Sequence, residues 1–264
     1  MVDWNFFMSY VRGALYAIWL VWPWLVGMAV LEWVSPGRKL LPANWLFNTL
    51  YIPVYLTVAS LALYPVTRLV EPHLPANLLR VDLHAVDAFW MGPLVLVYLL
   101  VFDFLFYWFH RAQHSWPFMW RYHRFHHSDP NVGVTSATRH HWLEEAMRYF
   151  FISAPLVILV GHPEAVLPWL GILIGVEGMF IHWNTRIRLG PLTKVIVGPQ
   201  YHRIHHSFAA EHVDKNFAVI FPVWDRLFAT QHLPVGDEFP VTGVADVARP
   251  NGWRLLLPWP AKTA

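Results

Sequence analysis

The chain of 264 residues is 56% hydrophobic and only 14% charged, whereas soluble domains carry about 25% charged residues, which excludes an ordinary soluble enzyme. A formal net charge of +2, with no long basic block, excludes a nucleic-acid-binding surface. The absence of cysteine removes disulfides, thiolate ligands, Cys-held iron–sulfur clusters and Cys nucleophiles together, so any metal has to be held by imidazole, carboxylate or water.

Three apolar segments precede the first histidine pair, at residues 14–34, 45–66 and 88–109. Each approaches the ~20 residues that cross a hydrocarbon core of about 30 Å. The 16 Trp, 18 Phe and 10 Tyr suit the bilayer interfaces where aromatics gather. The first segment contains Pro23 and ends in Glu32-Trp33 without a small-residue cleavage pattern, so a retained span is expected in place of a cleaved signal peptide. The second is interrupted by Pro53 and expected to close at Pro65. Residues 68–87, with Pro72, Pro75, His73 and His84, read as a surface loop or interfacial helix. Residues 108–148 and 182–215 are rich in Arg and His, and the positive-inside rule places both in the cytoplasm. With three full spans, the amino terminus then lies outside and Arg38-Lys39 inside. Residues 149–181 must leave and return on one side. Gly161-His162-Pro163 breaks them into two arms too short for full spans at ~1.5 Å per residue, which predicts a helical hairpin. Gly171, Gly175 and Gly178 would permit close helix packing in its second arm. Residues 219–228 look interfacial, and no regular structure is expected from Pro234 onward.

Eight of the sixteen histidines form three clusters, His110-x3-His114, His123-x2-His126-His127 and His202-x2-His205-His206. Spacings of three and four put side chains on one helix face. Each cluster is thus a patch of imidazoles, a ligand type suited to iron, zinc, copper and nickel. A zinc site needs only three or four protein ligands, so eight point to two metals, and a redox-active pair suits dioxygen activation. Soluble di-iron bundles use Glu and Glu-x-x-His ligands; the carboxylates here lack that spacing, so an all-nitrogen variant is expected. The isolated His73, His84, His162, His212 and His232 read as hydrogen-bonding interface residues. The expected fold is all-α, a multispanning integral membrane helical bundle with a histidine-ligated dimetal centre on its cytoplasmic side. Residues 1–87 supply the first spans and linker, 88–232 the catalytic domain and 233–264 an irregular tail. A zinc-dependent membrane hydrolase and a non-catalytic metal-binding or transport protein remain as alternatives.

At these residues the chain resembles the fatty acid hydroxylase/sterol desaturase superfamily of membrane di-iron oxidoreductases, whose pattern is H-x3-H, H-x2-HH and H-x2-HH in that order. Asp103-x3-Tyr107-Trp108-Phe109-His110 is similar to its entry motif. Tyr122-His123-Arg124-Phe125-His126-His127 and Tyr201-His202-Arg203-Ile204-His205-His206 resemble its second and third boxes. Arg139-His140-His141-Trp142-Leu143-Glu144 is similar to an R-x-H-P-L-E element, with Trp142 where Pro is usual. Phe180-Ile181-His182-Trp183-Asn184 looks like an isolated H-x-N. Asp214-x-Asn216-Phe217 and Trp224-Asp225-Arg226-Leu227-Phe228 look like the closing segment. The resemblance implies two iron ions per chain, O2 as oxidant and a lipid substrate that is hydroxylated or desaturated. Electrons would come from a separate ferredoxin- or cytochrome-type donor with its reductase, docking on the Arg-rich face. It adds His182 as a ninth ligand and His141 as a tenth, with His140 the weaker of its pair. Asp103, Glu144, Asn184, Asn216 and Asp225 are the candidates for orienting the imidazoles through their other nitrogens.

Overall fold

The computed structural model describes residues 4–75, 77–79, 82, 85–161 and 169–244. Among them the chain is helical, with a lone antiparallel bridge between Ser207 and Thr242 and no strand. Three long helices come first: α1 (Trp4–Val34), α2 (Pro42–Val70) and α3 (Ala88–Ser115). Shorter helices follow: α4 (Pro117–His127), α5 (Leu143–Arg148), α6 (Ala154–Val160), α7 (Trp169–His182), α8 (Pro199–His205) and α9 (Val223–Leu227).

Two helical stretches, Pro42–His73 and Ala88–Ser115, are long and apolar enough to cross a membrane. Only 28% and 11% of their apolar windows are buried inside the molecule. A core helix of a soluble protein would bury most of such a surface; here it faces outward. The apolar stretches Trp19–Val34 in α1 and Trp169–His182 are shorter, though Trp19, Trp22, Trp24 and Trp33 stand exposed along the former. Against expectation, α2 does not close at Pro65 but runs through it to Val70. A proline removes one hydrogen bond; unwinding in apolar surroundings would bare several backbone groups, at several kcal/mol each.

Helical arms flank the expected break at Gly161-His162-Pro163, and the turn between them lies outside the described residues. A single π turn, Tyr149–Ser153, joins α5 to α6, and α6 stops at Gly161, whose φ of +80° suits glycine. The backbone N–H groups of Asn77, Leu78 and Leu79 donate to the carbonyls of Val157, Ile158 and Leu159 at 3.1, 2.8 and 3.0 Å. The linker after α2 thereby satisfies the carbonyls that the end of α6 leaves open. His84 and His162 lie outside the described residues; His73 is exposed. Of the three glycines in α7, Gly175 alone approaches another helix, its Cβ position lying 3.6 Å from Val21 of α1; Gly171 and Gly178 meet nothing within 4 Å among the described residues.

Behind the helices, buried polar side chains fix the connecting segments. Asp129 accepts from Asn44 and Asn48 of α2 at 2.7 Å each and from Ser136 at 2.6 Å. Arg139 stacks on Phe47 and Phe125 and donates to Asn48 Oδ1 at 2.7 Å. Glu32, near the end of α1, accepts the Val134 N–H at 2.9 Å, and its other oxygen fills the space a Cβ on Gly133 would need. Any larger residue at position 133 would require this buried carboxylate to shift. Residues 233–244 are irregular yet packed: Phe239 lies against Arg203 and Arg186, and Arg203 Nε donates to Pro240 O at 2.9 Å.

Candidate metal centre

Four helices point imidazoles at one volume. His110 and His114 come from the last turns of α3, His123, His126 and His127 from α4, His182 from the end of α7, and His202, His205 and His206 from α8 and its cap. They divide into two groups, each with one ligand atom per residue within 4.8 Å of the others. One group holds His110, His114, His123, His127 and His205; the other holds His126, His182, His202 and His206. The groups adjoin, since the His127 ring stacks on His206 with centroids 4.4 Å apart. Eight of the nine rings are buried and His114 nearly so.

Hydrogen bonds decide which ring nitrogen faces inward. His110 Nδ1 donates to Phe217 O at 2.8 Å, His205 Nδ1 to Lys215 O at 2.7 Å, and His182 Nδ1 to Gly178 O at 2.6 Å. A carbonyl only accepts, so these Nδ1 atoms carry the proton and each Nε2 is left as a bare lone pair. His123 does the same through Glu144 Oε2 at 2.9 Å, and its buried Nε2 finds no hydrogen-bond partner among the described residues.

Nε2 atoms meet at 3.1 Å in the pairs His114–His127, His127–His205, His126–His182, His182–His202 and His202–His206. Nitrogens sharing an ion at ~2.0–2.1 Å stand about 3 Å apart, so the spacing fits shared cations. Burial, then repulsion among neighbouring imidazoles, holds His126, His127, His202, His205 and His206 well below the usual imidazole pKa. Burial likewise brings His123 down to about 4. Neutral imidazole is the ligating form; the donor set fits metal ions.

The five expected orienting residues divide. Glu144 touches the centre: it accepts from His123, from Gln113 Nε2 at 2.7 Å and from the His141 N–H at 2.9 Å. Burial acts upward on its carboxyl, and the imidazoles of His140 and His123 bring it well below the usual carboxylate range. The other four reach no ligand ring in the hydrogen bonds described. Asp103 accepts the N–H groups of Val219, Ile220 and Phe221 at 3.0, 3.1 and 2.7 Å. Asp225 holds those of Phe217 and Ala218. Asn216 bonds Tyr201 O and His232, and Asn184 ties Arg38 to Arg203. Asp103, Asp225 and Asn216 act one step further out, by fixing the loop that presents the Lys215 and Phe217 carbonyls; Asn184 instead fixes the chain after α1 to α8.

His141 stands apart from both groups. Its ring packs on Tyr122 and Trp142, and its Nδ1 accepts the Leu143 N–H at 3.2 Å. Its neighbour His140 lies closer, stacked on His126 at 4.0 Å with Nδ1 3.4 Å from Glu144. The three carbonyls carry no sequence signal. Gln113 lies unmarked inside the first histidine pair, and Asp214, whose carboxylate is 3.5 Å from His114 Nδ1, belongs to the closing-segment motif but was not singled out as a partner of a histidine.

The sequence profile described as fatty acid hydroxylase matches residues 95–230 of the chain, a stretch that contains all nine histidines. The chain belongs to the fatty acid hydroxylase family. Among the family's characterised members it is similar to an ornithine lipid hydroxylase of Rhizobium tropici, with 31% identity over 148 residues, 56% of this chain and 44% of that protein. Alkylglycerol monooxygenase of Homo sapiens is 32% identical over 128 residues, 48% of this chain and 28% of that one. A cholesterol 25-hydroxylase-like protein of Danio rerio is 31% identical over 141 residues, 51% and 53% of the two chains. The aligned stretch is thus about half or less of each relative's own length. No solved structure matches the chain.

Within this family site, Glu144→Gln is expected to weaken metal retention about 10–100-fold, the usual cost of losing an outer partner of a ligand. Glutamine keeps the volume but offers a single acceptor oxygen to three donors. Metal content after dialysis against graded chelator measures this; retention equal to wild type would remove Glu144 from the centre.

Proposed function

We propose that the chain is a multispanning membrane oxidoreductase. It holds two iron ions in its two imidazole groups and uses O2 and electrons from a separate donor to hydroxylate or desaturate a membrane lipid. The observation that carries this reading is the pair of adjoining, buried, all-imidazole groups. Iron so held would activate O2, which with two electrons from the donor supplies the oxidising equivalents needed to break an unactivated C–H bond. His110, His114, His123, His127 and His205 would hold one ion, and His126, His182, His202 and His206 the other; His141 lies off both groups, and His140 is the better placed of that pair.

The protein's own residues do the rest. The carbonyls of Lys215, Phe217 and Gly178 and the carboxylate of Glu144 keep protons on the outer ring nitrogens, so the inner ones stay free. Burial excludes water from the oxidising volume. The outward apolar faces of α2 and α3 give a lipid a route to the end of α3, where His110 and His114 stand. The names of the three relatives favour insertion of oxygen into a lipid that carries a polar group. Arg111, Arg121, Arg124 and Lys215 support a metal centre on the cytoplasmic side and an acidic electron donor there.

The test compares total lipids of cells with and without the chain, under air and under argon. An air-dependent lipid that has gained one oxygen atom, or lost two hydrogens, is expected. A modified lipid that still forms without O2, or unchanged lipids around metal-loaded protein, would contradict the reading.

A further inference from the structure

A second cluster of ligating side chains lies outside the nine-histidine centre. His212 is 3% exposed and its Nε2 is 2.9 Å from Glu238 Oε1. His232 Nε2 approaches the other oxygen, Oε2, at 3.5 Å. The two rings stand nearly perpendicular with centroids 4.7 Å apart, and one donor atom from each residue lies within 4.8 Å of the others. Both histidines were read from the sequence as isolated interface residues; Glu238 joins them from 26 positions beyond His212.

A plain His–Glu hydrogen bond accounts for only half of this. It uses His212, but 3.5 Å with no hydrogen-bond geometry is not a hydrogen bond for His232. His232 Nε2 is buried, aims at the carboxylate and has no hydrogen-bond partner among the described residues; His212 Nδ1 is likewise unpartnered. The backbone holds this geometry in place. His232 N–H donates to Asn216 Oδ1 at 2.7 Å, Gln200 Nε2 donates to Glu238 O at 2.9 Å, and the Val235 N–H donates to Glu238 Oε2 at 2.9 Å.

We infer that His212, His232 and Glu238 form a further metal site, for a divalent cation of the zinc class. Two imidazoles and one carboxylate suit zinc, whereas calcium and magnesium ask for oxygen alone. His232 and Glu238 are each about a quarter open, with side chains 23% and 22% exposed, so solvent can complete the coordination. Ligation through His212 Nε2 puts that ring's proton on Nδ1, which has no hydrogen-bond partner among the described residues.

The site's place suggests a structural role. His212 belongs to the loop whose Lys215 and Phe217 carbonyls hold His205 and His110. Glu238 belongs to the segment that returns over α8. A cation there staples the two together, on the outer side of the main centre. This holds whatever metal the main centre takes, so it stands apart from the proposed function.

The test is a Co2+ titration of the purified full-length protein, with the main centre occupied as isolated and loosely bound metal removed. Wild type is expected to take up one further equivalent, with visible d–d absorption, and to melt at a higher temperature once it has done so. His232→Gln and Glu238→Gln should each lose that equivalent, with affinity falling by more than the ~10–100-fold an outer partner costs. The metal of the main centre should be unchanged in both. Uptake identical in wild type and both variants would overturn the inference. So would a wild type that takes up no further cobalt, a result that needs no folded variant. Loss of the main-centre metal alone would instead bear on the oxidoreductase reading.

Discussion

With alanine at His127, turnover in the proposed reaction is expected to fall by at least about 100-fold, the upper limit of what loss of a mere outer partner costs a metal site, and bound metal is expected to fall by about half. His127 makes the shortest ring approach between the two groups, 4.4 Å to His206. Its Nε2 lies 3.1 Å from those of His114 and His205, and its ring covers His206. Its removal takes one of five nitrogens from its own group and opens a space beside the other. Alanine is the strongest helix former, so α4 keeps its shape, and circular dichroism separates loss of metal from loss of fold. Wild-type metal content and turnover in a folded His127→Ala protein would remove this ring from the centre.

Asp225→Ala is expected to destabilise the protein by at least about 3 kcal/mol, the low end for stranding four buried donors. Its carboxylate is fully buried and accepts four hydrogen bonds: from the N–H groups of Phe217 and Ala218 at 2.8 and 3.0 Å, the Tyr201 hydroxyl at 2.9 Å and the Thr230 hydroxyl at 2.7 Å. Alanine leaves these donors buried and unpaired, and each such group costs ~1–3 kcal/mol. Because Phe217 presents its carbonyl to His110, metal should be lost before the protein unfolds. Asparagine preserves the shape but cannot accept all four, so it should fall between the two. A thermal midpoint lower by on the order of 10 °C in the alanine variant is the expected reading. A midpoint equal to wild type would show that the loop is held by other means.

The histidines were the most legible part of the molecule because a ligand group needs a helical repeat, and a repeat of three and four is local information. The same holds for the start of α3 at Ala88 and the break at Gly161, which follow from chain-local chemistry. What could not be read depends on partners far away in sequence. Asp103 shares the face of His110, yet its carboxylate is taken by backbone more than a hundred positions later. Main-chain carbonyls hold three rings, and every residue has one, so no side-chain pattern marks them. His140 and His141 differ by one position; which of them faces the centre is set by the turn that seats the His141 N–H on Glu144. Gly133 reads as an ordinary loop glycine until Glu32, a hundred residues earlier, is seen against it. The continuation of α2 past Pro65 was hidden for a different reason: proline reads as a helix end, yet inside a helix it removes a single hydrogen bond, and α2 runs on to Val70.

In the proposed centre, nine imidazoles from four helices form two neighbouring metal sites. Metal analysis combined with iron K-edge absorption spectroscopy on the purified protein tests it most directly. About two ions per chain, with an inner coordination sphere dominated by imidazole nitrogen, is the expected result for two groups of four to five nitrogens. A single ion per chain, or a sphere dominated by carboxylate oxygen, would contradict it.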